Sequence, residues 1–172
     1  MISVSIAAHE REVKLIMSSS KKDNMLYIGI DLGTSRSVVS ASNGNRKWVE
    51  SYVGWPKDFV AKKMIGKRVL FGNEALEHRL ALNLSRPLQN GVLKEGTEQD
   101  EAAVEELIGH LIELADIGTD SEICVAVGVP AEALKINKIA IKNAISSHAK
   151  KLMVVSEPFS VAYGLGRLDK TM

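Results

Sequence analysis

Two apolar runs in the second half of the chain limit its fold more than any other feature. EICVAVGV, residues 122–129, and KLMVVS, residues 151–156, are almost continuously apolar rather than alternating. Strands of that kind are covered on both faces, as in the parallel sheets of α/β proteins. Pro130 follows the first run and suits the opening position of a helix, predicted to continue to about Ala149. Pro158 opens a further helix, predicted through about Leu168. Strand, helix, strand, helix is a βαβ arrangement whose strands run parallel.

The first half reads differently. LYIGI and SVVSA are short strand-forming runs joined by DLGTSR, and RKWVESYVGW is a third candidate strand. The Asn-Gly pair in SNGN suits a tight hairpin between the second and third. Residues 26–54 therefore read as an antiparallel three-strand meander, ended by Pro56, which has no N–H for the ladder. KRVLFG reads as a brief strand, NEALEHRLAL as a short helix capped by Asn73, and SRPLQNGVL as a loop. From Asp100 to Asp116, Val104, Leu107, Ile108, Leu111, Leu114 and Ala115 recur at helical spacing, with Thr97 and Asp100 as a capping pair. The fold class expected is α/β: a mixed sheet in which a three-strand antiparallel meander is followed by βαβ units.

A chain of 172 residues can bury a core as one domain or two small lobes. Its 22 basic and 21 acidic residues are mixed along the sequence, so no nucleic-acid partner is expected. The four histidines are scattered and Cys124 is the single cysteine, which argues against a zinc site or disulfides and for a reducing cytoplasm. Cys124 reads as a small core residue, Trp48 and Trp55 as packing residues, and His110 has no partner spaced for metal ligation. Charges from His9 onward exclude a secretory signal, and no apolar run approaches the ~18–20 residues that span a bilayer. Residues 1–25 read as a flexible leader, a possible product of start-site choice.

The chemistry is concentrated in two places. In DLGTS, residues 31–35, a glycine lets backbone N–H groups converge on one point, and Thr34 and Ser35 add hydroxyls beside them. Asp31 repels phosphate but can hold a hydrated Mg²⁺ that bridges to it. There is no G-x-x-x-x-G-K-[ST], and no helix follows the turn as a dinucleotide fold requires. On these residues alone a ligand-free hairpin turn stands beside the phosphate site. Glu157 lies where the strand of residues 151–156 ends, the edge at which open α/β sheets collect ligands. It could orient a water toward a phosphoryl group, or simply complement the dipole of its helix.

Taken together, the motifs resemble those of the actin-like ATPases, the superfamily of actin, MreB and the DnaK-type chaperones. IGIDLGTS is similar to their first phosphate loop, and SEPFSVAYGLG to their connecting helix with its catalytic glutamate. RPLQNGVL is similar to the PLxDGVI segment of MreB-type proteins, and AVGVPAEALKINKIAIKNA to their strand-Pro-helix segment. The likeness extends over about residues 26–168, and region 55–100 follows the MreB type and its magnetosome-associated branch rather than the chaperones.

The resemblance implies an actin-like ATPase (ribonuclease H-like) N-terminal lobe with a small insertion subdomain at about 55–95. It implies a cytoplasmic filament protein that binds ATP with Mg²⁺ and hydrolyses it slowly after assembly. Position by position, Gly33, Thr34 and Ser35 would contact the phosphates, Asp31 would hold the hydrated magnesium, and Glu157 would position the attacking water. The implied partners are further copies in a filament and magnetosome-associated proteins, without direct membrane insertion.

Two departures qualify this. Asn90 stands where the family often has Asp. The chain ends at Met172, before the family's second phosphate loop, D-x-G-x-G-T-T, and its adenine-binding half. A truncated or shortened chain with weak ATP binding and no efficient turnover is therefore expected. The alternatives are a DnaK-type chaperone lobe, a small-molecule kinase (for which no acceptor-site carboxylate base is identifiable), and a nucleotide-incompetent remnant that binds full-length filaments.

Overall fold

A computed structural model describes residues 25–89, 92–93, 97–118, 122–129, 138–146 and 148–166. The chain opens with strands β1 (Met25–Leu32), β2 (Arg36–Ala41) and β3 (Arg46–Glu50), an antiparallel meander. There follow β4 (Val53–Pro56), helix α1 (Phe59–Ile65), β5 (Leu70–Phe71), α2 (Gly72–Glu77), a 3-10 turn (Arg79–Ala81) and β6 (Leu82–Ser85). A short pair, β7 (Leu88–Gln89) and β8 (Val92–Leu93), leads to the long helix α3 (Glu98–Leu114). The chain then alternates: β9 (Glu122–Val129), α4 (Lys138–Ser146), β10 (Lys151–Ser156) and α5 (Glu157–Gly164).

The main sheet has the order β10-β9-β1-β2-β3, with β9 parallel to both β1 and β10. This is the mixed sheet expected, with the βαβ unit added to the free edge of the meander. β1 alternates strictly, burying Leu26, Ile28, Ile30 and Leu32 and exposing Tyr27, Gly29 and Asp31. Its buried side belongs to one core with Val125 and Val127 of β9, Leu107, Ile108 and Leu111 of α3, and Ile141 and Ile145 of α4. Thr97 caps α3 through its hydroxyl, which accepts the Asp100 N–H at 3.1 Å, and three acidic residues in the first turn favour the positive end of the helix dipole.

Several sequence expectations need correction. The third strand is not continuous over residues 46–55: it breaks at Ser51 and Tyr52, and β4 enters a separate sheet of order β5-β4-β6. At the break the chain bends, the Tyr52 N–H donating back to the Glu50 carbonyl at 2.7 Å. The small sheet carries its own core of Leu70, Ala75 and Leu82. Asn73 lies inside α2 and is not its cap; the cap position is Phe71, without a side-chain bond, and Gly72 takes φ 55°. Its missing side chain matters there, because a Cβ would stand 2.5 Å from Val49 Cγ2. SRPLQNGVL is not a loop throughout, since Leu88–Gln89 pairs with Val92–Leu93. Helix α5 stops at Gly164 rather than near Leu168, with Gly166 at φ 61° taking the left-handed conformation that commonly follows a helix end. Asn90, the start of the helix after Pro130, and residues 1–24 lie outside the described residues.

Candidate functional site

The exposed side of the main sheet can be laid out from its registers. Asp31 of β1 stands level with Val38 and Trp48 on one flank and Gly128 and Val155 on the other. One pleat back, Gly29 stands level with Ser40 and Arg46, and with Ala126 and Met153. Small residues at Gly29, Ser40, Ala126 and Gly128 make the middle of this face a trough. Helix α5 overlies β9 and β10 on the same side, so a cleft of about 840 Å³ remains with Asp31, Val38, Arg46, Gly128, Glu157 and Ser160 among its walls.

Glu157 reaches this cleft because of how α5 begins. Ser156 caps the helix, its hydroxyl accepting the Phe159 N–H at 3.4 Å, and Pro158 sits in the first turn. That places the Glu157 side chain over Gly128, where a Cβ on the glycine would lie 3.9 Å from Glu157 Cγ. Gly128 is the register partner of Asp31, so the two carboxylates face the same space. Burial first, and then the charge of Asp31, push the Glu157 carboxyl above its ordinary value of 4.5. Among the described residues no group of three or more histidine, cysteine or acidic side chains could hold a metal alone. A hydrated Mg²⁺ held by one carboxylate and a ligand's phosphates is a different demand, which needs only one exposed carboxylate such as Asp31.

The turn at Gly33, Thr34 and Ser35 adjoins the cleft but does not line it. Its shape is imposed from below. Ser51 Oγ donates to the Gly33 carbonyl at 2.6 Å, and Ser51 N donates to the Ser35 carbonyl at 3.0 Å. Ser37 Oγ lies 2.9 Å from Ser51 Oγ; with the Ser51 proton already committed to Gly33, Ser37 is the donor. Both serines are fully buried, which keeps water from competing for these bonds. Because a peptide unit is planar and trans, tying down the Gly33 carbonyl directs the Thr34 N–H away from Ser51. The structure thus brings Asp31 and Glu157 together and sets the turn beside them.

No protein-family model matches the chain. Actin-like protein MamK of Magnetospirillum gryphiswaldense is 38% identical over 169 residues, covering 98% of this chain and 47% of the relative. MamK of Paramagnetospirillum magneticum is 40% identical over 149 residues, 87% of this chain and 43% of the relative. The solved MamK double helical filament superimposes with a TM-score of 0.77 at 39% identity, over 83% of this chain and 44% of that one. The fold is that of an actin-like protein. A non-polymerising MamK mutant bound to AMPPNP gives the same TM-score at 39% identity, over 84% of this chain and 45% of that one. MreB 5 of Spiroplasma citri bound to AMPPNP, 17% identical over 85% of this chain and 42% of that one, shares the fold at a TM-score of 0.62. The chain spans a little under half the length of the curated MamK relatives it matches.

Within this fold, Ser37 and Ser51 are the residues that sequence reasoning missed. A signal existed for the first: Ser37 occupies an inward slot of β2 beside Val39 and Ala41, where a polar side chain must find a partner. Trp48 corrects another expectation. It is 52% exposed rather than packed inside, and the Arg36 guanidinium lies 4.4 Å from its ring centre. Cys124 is buried, and burial pushes its thiol up, as an inert core thiol requires. His110 stacks on Phe71 at 4.0 Å, and burial lowers its pKa despite Glu113. Among the described residues no helix is long and apolar enough to cross a membrane.

The Glu157 shift has a measurable consequence. A carboxyl raised in the fold binds its proton more tightly there than in the unfolded chain. Stability therefore falls as pH climbs above the ordinary carboxyl value, and the full cost persists once Glu157 is ionised. Glu157→Gln removes that cost. Thermal melts without ligand are expected to show the variant more stable than wild type at about pH 7, with the difference vanishing near pH 4.

Proposed function

We propose that this chain is a nucleotide-binding lobe of a MamK-like actin, built to hold Mg-ATP, with the lobe at residues 26–172 and an insertion at about 55–95. The observation that carries the reading is the cleft shared by Asp31 and Glu157, set beside a turn whose carbonyls are tied inward by Ser51. AMPPNP in the similar MamK and MreB structures supports the nucleotide.

Gly33, Thr34 and Ser35 bind the phosphates through the turn, and Asp31 holds the hydrated magnesium. A magnesium ion held there would offset part of the phosphate charge. Glu157 orients the attacking water by accepting its hydrogen bond on a carboxyl oxygen, most strongly in the ionised form. Offsetting the Asp31 charge lowers the barrier to that ionisation, because Asp31 is one cause of the raised Glu157 pKa. Occupancy of Asp31 and readiness of Glu157 are thereby linked. Filament assembly in the cytoplasm, beside magnetosome membranes and their proteins, is the wider reading; the MamK filament structure supports its assembly part.

The test is a titration of the 172-residue chain with AMPPNP, with magnesium and with a chelator. Asp31→Ala is expected to weaken binding about tenfold with magnesium and to leave the metal-free affinity nearly unchanged. Equal affinities for variant and wild type in magnesium would remove Asp31 from the site.

A further inference from the structure

The cleft has a charge problem that Asp31 and Glu157 cannot solve. A triphosphate brings several negative charges toward two carboxylates, and one magnesium offsets only part of them. Of the described residues lining the cleft, Arg46 alone carries a positive side chain. Its position follows from the pleat. Arg46 is the register partner of Ser40, which pairs with Gly29, so it stands on the exposed face across a floor of small side chains. Glu157 occupies the opposite wall, on α5.

Arg36, on the same face, is laid over Trp48 rather than lining the cleft. Arg46 has no hydrogen bond or ion pair from its side chain among the described residues. An arginine in that state keeps five donors in a planar fork suited to phosphate oxygens. The motifs that resemble the actin-like ATPases do not include β3, so nothing in the phosphate loop or the connecting helix pointed to it.

We propose that Arg46 is a phosphate-binding residue of this cleft, reaching from β3 to the terminal phosphate of the nucleotide and favouring the triphosphate over the diphosphate. The assignment rests on the Mg-nucleotide reading of the Asp31 and Glu157 cleft. It makes Arg46 a specificity-determining residue: the diphosphate, held at the turn, lacks the group that Arg46 would grip.

The experiment measures the affinity of the 172-residue chain for Mg-AMPPNP and Mg-ADP, in wild type, Arg46→Gln and Arg46→Lys. Arg46→Gln is expected to weaken Mg-AMPPNP about tenfold while changing Mg-ADP less than about twofold. Arg46→Lys keeps the charge but not the fork and is expected to recover part of the loss. Far-ultraviolet circular dichroism melts of all three should coincide, since Arg46 is exposed and contributes nothing to the core. If wild type binds and Arg46→Gln leaves the ratio of the two affinities unchanged, Arg46 is a solvated surface residue and the assignment falls alone. A parallel loss of both ligands would place Arg46 elsewhere on the nucleotide and overturn its selectivity. If wild type binds neither ligand, the nucleotide reading of this chain falls and Arg46 falls with it.

Discussion

Gly33→Ala is expected to abolish nucleotide binding and to cost the fold roughly 2–4 kcal/mol. A Cβ at this position would stand 2.3 Å from the Arg36 carbonyl oxygen, a backbone atom that no rotamer change can move aside. Relief requires the turn to open. Opening it pulls the Gly33 carbonyl from Ser51 Oγ and strains the Ser37–Ser51 pair beneath, both of which are buried. Losing those bonds without water to replace them adds to the cost. Urea unfolding gives the stability, and a titration with Mg-AMPPNP gives the affinity, expected to drop about a hundredfold or more. Gly29→Ala is the control for stability: its Cβ would meet only the Ser40 carbonyl oxygen, at 3.8 Å, an ordinary contact. If Gly33→Ala unfolds at the same urea concentration as wild type, the close approach is not a constraint and the turn has another basis.

The contrast between those two glycines also shows how far the sequence could be read. IGIDLGTS gives both as glycine, and the motif marks Gly33, but nothing in it says that Gly33 touches its own turn while Gly29 has room for a side chain. The long signals were legible. β9 and β10 match their apolar runs residue for residue, because a strand covered on one side by helices and on the other by α5 leaves few places for polar side chains. Helix α3 was legible too, since Leu107, Ile108 and Leu111 meet one core at one spacing.

The small sheet was not legible as a sheet. β5 has two residues, too few to show a period, and β4 follows β3 after only Ser51 and Tyr52. That gap read as continued strand because Tyr52 and Val53 are good strand formers, whereas the Tyr52 N–H turns back to the Glu50 carbonyl, a bend that no residue type in the run announces. The candidate site divides the same way. Asp31 and Glu157 could be named from local motifs, but their meeting over Gly128 depends on β1 pairing with β9, more than half the chain length away. Arg46 becomes part of the site only through the pairing of β3 with β2.

Leu107→Ala is expected to destabilise the protein by about 2–5 kcal/mol, a large share of the roughly 5–15 kcal/mol available to a domain of this kind. Leu107 is fully buried in the middle of α3, which packs on β2 and β3 of the main sheet and on β4 and β6. The cavity would open in the main core, where α3 meets helix α4 and strands of both sheets, and close packing leaves little freedom to collapse into it. The urea midpoint should fall with little change in slope, since the folded state exposes no new surface. Leu107→Met, which conserves volume, should cost less than about 1.5 kcal/mol. Binding should behave oppositely to Gly33→Ala. Leu107 lies beneath the sheet, while Asp31 and Glu157 open above it, on the alternate residues of β1 and beyond the end of β10. At a temperature where Leu107→Ala remains folded, its affinity for Mg-AMPPNP should stay within about twofold of wild type. A larger loss in the folded variant would mean that α3 sets the cleft through the sheet, and that the two faces of β1 are not independent.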